Sequence, residues 1–204
     1  MERIIVQKFG GTSVATESLR EAVIRHIERA ISEGYRPVVV VSAMGRAGDP
    51  YATDTLLELA GAAQEASERD IDLLLACGEV ISTVVLSRAL KARGHRARAF
   101  TGAQAGIVTD GRFGDARILK VEPKRVLASL ACGEIPVIAG FQGESQDGEV
   151  TTLGRGGSDT SAAAIAVALE AELLEVFTDV DGVKTADPRL APGAVTIEVA
   201  TYQE

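Results

Sequence analysis

Four apolar runs rich in valine and isoleucine constrain the fold of this chain most strongly. They read RIIVQKF, PVVVVSA, IPVIAGF and LLEVFTDV, and they are spread from the first residues to the last forty. Strands that are apolar on both faces are typical of a parallel or mixed sheet covered on both sides. Segments with helical periodicity lie between these runs. The alternation of strand and helix predicts an α/β layered fold.

Helical patterns can be placed with some detail. The segment ESLREAVIRHIERAIS predicts one helix, and DIDLLLACGEVISTVVLSRALKARG predicts a long, largely buried helix with a break near Gly78. Pro123 suits the first turn of a helix that stops at Gly133, and Ser158 or Asp159 suits the N-cap of SDTSAAAIAVALEA. The apolar stripe of the first helix is expected to consist of Leu19, Val23, Ile27, Ala30 and Ile31.

Charge and composition argue against several kinds of partner. The net charge is −8 and no basic stripe is present, so nucleic acid is not an expected ligand. No signal peptide is recognisable, and no apolar run approaches the ~20 residues that cross a bilayer, so no membrane partner is expected. Cys77 and Cys132 lie far apart in apolar runs, which predicts buried, reduced thiols in a cytoplasmic protein.

Three glycine-rich turns, KFGGTS, GFQG and TTLGRGGSDTSA, follow apolar strands or precede helices. Glycine lets a backbone approach a ligand closely, and a helix N-terminus presents free N–H groups to an anion. Taken alone, Gly10 and Gly11 fit a purely structural turn as well as they fit a ligand-binding turn. Taken together, the three turns predict an anion-binding cradle, although neither a P-loop nor a protein-kinase motif is present.

Four charged residues stand out beside these turns. Lys8, one of only five lysines, ends the first apolar run and can place a cation on a phosphoryl oxygen. Arg155 can bind a carboxylate or phosphate with two parallel hydrogen bonds. Asp159 is a helix cap, a site residue or both. Glu79 lies inside an apolar helical run, which indicates either a functional carboxylate or the partner of a core arginine.

Two loops can each be interpreted as a simple connection or as part of a binding site. The stretch FTDVDGVKTADPR is either a turn with Asx caps or a nucleotide-facing loop with Lys184 or Arg189 near phosphates. The polar segment GRAGDPYATDT, residues 45–55, is a candidate lid, because ligands of open α/β sheets bind beyond the carboxyl ends of the strands. His26 and His95 have no partners at metal-ligand spacing, so no metal site is expected.

Several motifs together resemble aspartate kinases of the amino-acid kinase superfamily: KFGGTSV, VVVVSAMG, GAQAGIVTD, GFQG, TTLGRGGSDTSA and TDVDGVKTADPR. The loop GRAGDPYATDTLL resembles that of lysine- or diaminopimelate-regulated bacterial members. The resemblance implies a three-layer αβα sandwich with a mainly parallel central sheet. It also implies transfer of the γ-phosphoryl group of ATP to the side chain of L-aspartate, which begins lysine, threonine and methionine biosynthesis.

The resemblance also implies roles for individual residues. Lys8 would stabilise the transferring phosphoryl group and Asp159 would orient Lys8, with Mg²⁺ held mainly by the nucleotide phosphates rather than by protein ligands. Arg155 would bind the α-carboxylate of L-aspartate, and Glu79 its α-ammonium group. The remaining acceptor-site residues would be Ser42, Thr53, Gly156, Gly157 and Ser158. The ATP site would consist of Lys8, Phe9, Gly10, Gly11, Thr178, Asp179, Lys184 and Arg189.

Two departures from the family pattern qualify this expectation. Lys184 stands where the family often has a tyrosine, and the chain stops at VATYQE, before the GAK segment and the regulatory ACT domains of the family. Residues 1–204 are therefore expected to form a C-terminally incomplete kinase domain, with a homo-oligomer possible. The alternative is a non-catalytic nucleotide- or amino-acid-binding chain that needs a missing segment or a partner.

Overall fold

The computed structural model of the chain describes residues 3–61, 67–178, 182, 184–186, 190–191 and 193–201. Strands and helices alternate along it, as the apolar pattern predicted. In chain order the elements are β1 (Ile4–Phe9), α1 (Gly11–Val14), α2 (Glu17–Ser32), β2 (Arg36–Val41), α3 (Thr53–Leu59), α4 (Glu68–Ala92), β3 (Ala97–Phe100), α5 (Gly102–Ala105), β4 (Ile107–Thr109), β5 (Ile118–Val121), α6 (Lys124–Ala131), β6 (Ile135–Ala139), β7 (Gln142–Ser145), β8 (Val150–Thr152), α7 (Gly157–Ala168) and β9 (Leu173–Phe177).

A five-stranded parallel sheet forms the middle layer, with the strand order β3-β6-β2-β1-β9. One face packs against α5, α6 and α7, and the other packs against α2 and α4. Because both faces are covered, the central strands are buried along their whole length, which explains their continuous apolar runs. The three-layer αβα arrangement with a parallel central sheet is confirmed.

A smaller mixed sheet, in the order β5-β4-β7-β8, was not predicted from the sequence. β4 and β7 run parallel, whereas β4–β5 and β7–β8 are antiparallel pairs. These strands are three or four residues long and carry many polar side chains, so they lack the apolar runs that revealed the central sheet. The sheet matters for the site because β8 leads directly to the loop that precedes α7.

The long helix α4 is continuous from Glu68 to Ala92, so the predicted break near Gly78 is wrong. Gly78 is needed for close packing instead. A Cβ atom at this position would lie 2.8 Å from the Cβ of Ala43 and 3.1 Å from a methyl group of Leu56. α4 is also long and apolar enough to cross a membrane by length and composition alone, but half of the relevant window is buried inside this domain.

Other local predictions need correction. α7 begins two or three residues earlier than predicted, with Gly156 at the N-cap in a left-handed conformation, so Ser158 and Asp159 lie in the first turn and do not cap it. Both thiols, of Cys77 and Cys132, are exposed and free rather than buried. They lie on the outer face of α4 and at the end of α6, where apolar sequence neighbours do not imply burial.

The helix that begins after Pro123 ends at Ala131, close to the predicted stop. In α2, the predicted positions Val23, Ile27 and Ala30 are buried. Leu19 and Ile31 are exposed, whereas Ile24, which was not predicted, is fully buried, so the buried stripe is shifted from the predicted one.

Gly10 and Gly11 provide a matched test of the first glycine-rich turn. A Cβ on Gly11 would overlap the carbonyl oxygens of Ala43 and Gly45, whereas a Cβ on Gly10 would meet only the carbonyl of Phe177 at 3.8 Å. We expect Gly11→Ala to lower the free energy of unfolding by about 1–3 kcal/mol, because the backbone must shift to relieve the overlap. Gly10→Ala should cost less than ~1 kcal/mol. Urea denaturation of both variants measures the difference, and equal losses would contradict it.

Candidate active site

A cavity of about 480 Å³ lies at the carboxyl ends of β1, β2 and β6, beside the start of α7. This is where ligands of open α/β sheets bind, because the strand ends and the helix N-termini converge there. The cavity brings together nine of the residues predicted from sequence and three others, Asp54, Phe141 and Gly154. The predicted residues that line it are Lys8, Ser42, Thr53, Glu79, Arg155, Gly156, Gly157, Ser158 and Asp159.

Lys8 reaches the cavity from the end of β1. Side chains alternate along a strand, so Lys8 shares its face with Ile4 and Val6, which pack in the core beneath α7. The side chain is only 9% exposed, and its Nζ lies 2.7 Å from Oδ1 of Asp159, whose side chain is 53% exposed. The ion pair therefore joins a nearly buried cation to a carboxylate at the mouth of the cavity, next to the start of α7.

The start of α7 supplies a second positive feature. Gly156 has φ 75°, and Gly157 packs so closely on Leu153 and Phe141 that a Cβ would lie 2.8 Å and 2.9 Å from their atoms. The chain can therefore turn sharply into the helix, and the positive end of the helix dipole lies where its first residues line the cavity. The N–H groups of Gly157 and Asp159 already donate to the carbonyls of Gly154 and Gly156. Arg155 precedes these glycines. Its exposed guanidinium makes no hydrogen bond or ion pair with the described part of the chain, so its donors are available to a ligand.

Glu79 contributes a carboxyl group to the lining of the same cavity. The residue is 1% exposed, and its Oε1 accepts a hydrogen bond of 3.0 Å from the backbone N–H of Ala43. Its Oε2 has no partner among the described residues. Burial raises the pKa of Glu79 to about 8, and the Ala43 hydrogen bond opposes that rise only in part. The predicted alternative, a core arginine as partner, is wrong, because no described arginine forms an ion pair with Glu79.

Ser42 and Thr53 complete the rim. The N–H of Ser42 donates to the carbonyl of Phe9, which continues the β1–β2 pairing to the edge of the cavity, and Thr53 begins α3. From the predicted lid segment 45–55, only Thr53 and Asp54 line this cavity. Other residues of that segment line a neighbouring cavity together with α2 and α4.

Phe141 is a site residue that sequence reasoning did not single out, although it lies in the GFQG motif. It adopts φ 65°, which is uncommon for a residue with a side chain. The conformation is held from both sides: the N–H of Phe141 donates to the hydroxyl of Ser161 at 3.0 Å, and its carbonyl accepts from Leu153 at 2.9 Å. Strained backbone of this kind is concentrated at functional sites.

The residues predicted to contact the nucleotide are, apart from Lys8, not gathered in this cavity. The ring of Phe9 is buried and stacks on Phe177 at 4.6 Å between centroids. The N–H of Gly10 donates to the carbonyl of Phe177, and Thr178 lines a separate cavity of about 170 Å³. Gly11 and Lys184 also lie outside the main cavity, and Asp179 and Arg189 lie outside the described residues. The nucleotide roles of all these residues stay predictions.

The geometry suits a ligand with both signs of charge. Arg155 can bind a carboxylate, Glu79 an ammonium group, and Lys8 with the first turn of α7 an anionic group between them. Among the described residues, no group of three or more His, Cys, Asp or Glu side chains could hold a metal ion. A site of this kind binds small zwitterions and phosphates through fixed charges.

Comparison with known proteins assigns this architecture to a family. The model of the amino acid kinase family matches residues 3–204. The chain belongs to the amino acid kinase family. Aspartokinase 1 of Bacillus subtilis is 54% identical over 203 residues, which cover 99% of this chain and 50% of that protein. This kinase-family chain thus spans about half the length of the curated relatives it matches.

Solved structures agree with the assignment. The aspartate kinase from Synechocystis has 44% sequence identity and a TM-score of 0.77, covering 94% of this chain and 31% of that one. Aspartokinase III of E. coli in complex with aspartate and ADP has 29% identity and a TM-score of 0.77, covering 96% of this chain and 53% of that one. The resemblance to aspartate kinases inferred from the motifs is confirmed.

Glu79 should make the stability of the chain depend on pH. Its pKa is 4.5 ordinarily and about 8 in the folded chain, so between these values the folded state holds one more proton. Stability therefore falls as the pH rises through this window. Glu79→Gln removes this dependence. We therefore compare the free energies of unfolding of the variant and the parent at each pH. The variant's value minus the parent's should be about 1–3 kcal/mol larger at pH 7 than at pH 5.

Denaturant titrations at several pH values measure this difference, with Glu58→Gln as the control. Glu58 is an exposed glutamate on α3, so its removal should leave the stability difference nearly constant. A flat difference for Glu79→Gln as well would show that Glu79 is ionised in the folded chain across the whole range.

Proposed function

We propose that this chain is the kinase domain of an aspartate kinase, which transfers the γ-phosphoryl group of ATP to the side-chain carboxylate of L-aspartate. The product would be 4-phospho-L-aspartate, the first intermediate toward lysine, threonine and methionine. The observation that carries the proposal is the single cavity that combines the Lys8–Asp159 ion pair with Arg155 and Glu79. The family match and the aspartokinase relatives support it.

The acceptor is positioned by three charges. The guanidinium of Arg155 receives the α-carboxylate in a two-pronged contact, which defines orientation as well as charge. Oε2 of Glu79 has no partner in the described structure and receives the α-ammonium group. Binding a cation there favours the ionised carboxylate, so the ligand offsets the cost of burying that charge. The side-chain carboxylate then points toward Lys8 and the start of α7.

The chemical step requires positioning and charge stabilisation rather than proton removal. An oxygen of the acceptor carboxylate forms a bond to the γ-phosphorus while the bond between that phosphorus and the β–γ bridging oxygen breaks, which releases ADP. Because the nucleophile is already ionised, no general base is needed. Lys8 neutralises charge on the transferring oxygens, and Asp159 holds the Lys8 ammonium group in place. The positive end of the α7 dipole favours negative charge at the same place.

The charges of the site are compatible with a nucleotide and a metal ion. Lys8 and the start of α7 can hold phosphate oxygens, and the related aspartokinase III of E. coli forms a complex with aspartate and ADP. When bound, Mg²⁺ would neutralise charge on the phosphates. We propose that it is held mainly by those phosphates, since the described residues offer no cluster of metal ligands. A cytoplasmic location and the absence of nucleic-acid and membrane partners remain part of the proposal.

A hydroxylamine-trap assay tests the proposed reaction directly. The chain is incubated with MgATP and L-aspartate, L-glutamate, N-acetylglutamate or no acceptor, and acyl hydroxamate is measured by colour. We expect aspartyl hydroxamate above the background of the Lys8→Ala variant. The absence of product would be examined by isothermal titration calorimetry: binding of L-aspartate or ATP without turnover would favour the alternative of a non-catalytic binding chain.

Arg155 and Lys8 should affect different kinetic constants. Arg155→Ala removes the carboxylate contact present in both ground and transition states, so we expect the KM for L-aspartate to rise roughly 10- to 100-fold. Lys8→Ala removes a charge that matters most in the transition state, so we expect kcat to fall by roughly 100-fold or more. Steady-state kinetics with each substrate varied in turn separates the two effects.

Arg155→Lys and Arg117→Ala are the matched controls for this experiment. Lysine keeps the charge but not the two-pronged geometry, so Arg155→Lys should recover only part of the acceptor affinity. Arg117 is exposed and lies outside the cavity lining, so its loss should leave both constants nearly unchanged. If both Arg155→Ala and Lys8→Ala changed KM and kcat to the same extent, this division of roles would be wrong.

A further inference from the structure

Asp72 is a fully buried carboxylate that the proposed mechanism does not use. It lies in the second turn of α4, is 1% exposed, and forms no ion pair with a Lys, Arg or His among the described residues. A buried, unpaired carboxylate costs several kcal/mol unless hydrogen bonds replace the lost water. Such a group is retained where its hydrogen bonds hold a particular arrangement of the backbone.

Three donors from two distant segments satisfy this carboxylate. Gly114, 42 residues further along the chain, donates its N–H to both oxygens at 3.0 Å. Thr152, 80 residues further along, donates its N–H to Oδ2 at 2.8 Å and its hydroxyl to Oδ1 at 2.7 Å. Asp72 thereby ties the loop around Gly114 and the end of β8 to α4.

Both segments support the arginine of the acceptor site. The carbonyl of Thr152 accepts the N–H of Ala116, so the backbone of Thr152 is held on both sides. Gly154 lies directly against the Gly114 loop: a Cβ there would be 3.0 Å from the carboxylate of Asp115 and 3.3 Å from the carbonyl of Gly114. Arg155 follows at once, and its own side chain has no partner in the described structure. The position of the guanidinium therefore depends on the backbone on which it stands.

The far end of the same loop is held separately. Ser161, fully buried in α7, donates to the carbonyl of Gly157 at 2.8 Å and accepts from the N–H of Phe141. The segment from Gly154 to Gly157 thus extends between two fixed points, Thr152 and Ser161. Of these two points, Thr152 is held by the charged carboxylate of Asp72.

We propose that Asp72 is a positioning residue for Arg155: it fixes the end of β8 and the Gly114 loop so that the guanidinium meets the acceptor carboxylate. The effect on the acceptor rests on the proposed function. The effect on the loop does not, and it can be measured without any substrate.

Asp72→Asn is the decisive variant. Asparagine has the same shape but no charge. The Thr152 hydroxyl can turn to accept from its amide nitrogen, but the N–H groups of Gly114 and Thr152 must then share one neutral oxygen, so the charge-assisted hydrogen bonds are lost. We expect amide hydrogen exchange of Gly114, Thr152 and residues 153–157 to accelerate roughly tenfold or more, and β2 to be unchanged. We expect the Kd and KM for L-aspartate to rise roughly tenfold, with those for ATP within about twofold.

Two further variants keep the test informative. Glu68→Gln removes one acidic charge from an exposed position one turn before Asp72, and neither exchange nor affinity should change. Thr152→Val removes only the hydroxyl donor, and it replaces Asp72→Asn if that variant does not fold. It should show the same selective loss of L-aspartate affinity at a smaller magnitude.

The results separate this proposal from the proposed function. Unchanged exchange at residues 153–157, or acceleration that includes β2, would overturn the positioning role, since the second result indicates general destabilisation. Unchanged affinity for L-aspartate in a folded Asp72→Asn variant would overturn it while leaving the kinase function intact. If the parent chain bound no L-aspartate, the proposed function would fail, and the exchange measurements would still decide the role of Asp72.

Discussion

The ion pair between Lys8 and Asp159 is the interaction around which the rest of the site is arranged. A nearly buried lysine at the end of a central strand is costly without a counter-charge, and Asp159 supplies one at 2.7 Å. The pair can form only if the first turn of α7 lies across the end of β1. The glycines before α7 make that approach possible, and the approach points the helix N-terminus into the cavity. One buried cation thus accounts for the position of the elements that we propose bind phosphate.

Glu79, which lines the same cavity, is a buried carboxyl group without a counter-charge in the described structure. Burial raises its pKa to about 8. The free chain therefore holds a carboxyl group that is protonated over much of the neutral range, with one oxygen lacking a partner among the described residues. In the proposed function, an ammonium-bearing ligand supplies the missing charge. Under that proposal the charges of the site are balanced only when an amino acid binds, which favours ligands with an α-ammonium group over simple anions.

The parts of the fold that depend on local sequence could be predicted, and those that depend on distant contacts could not. The strand that carries Lys8 near its end and the glycine-rich start of α7 could be predicted, because apolar runs and glycines act within a few residues. The continuity of α4 through Gly78 was missed because the cause, close packing on Ala43, lies 35 positions away in the sequence. The network of Asp72 was missed for the same reason. Its partners belong to short polar strands and loops that carry no periodic signal.

These observations share one pattern: the backbone of the site is held by hydrogen bonds, whereas its charged side chains lack partners among the described residues. Thr152 and Phe141 have their backbone groups held by buried partners, whereas Arg155 and Oε2 of Glu79 are left without partners among the described residues. A polar group that is hydrogen-bonded within the protein cannot bind a ligand, and a charged side chain without a partner is not held in position by its own contacts. Both requirements are met when an unpartnered charged side chain stands on backbone that is fixed by hydrogen bonds. Binding of a ligand then requires little reorganisation of the protein. The buried carboxylate of Asp72, although it does not line the cavity, belongs in this sense to the acceptor site that we propose.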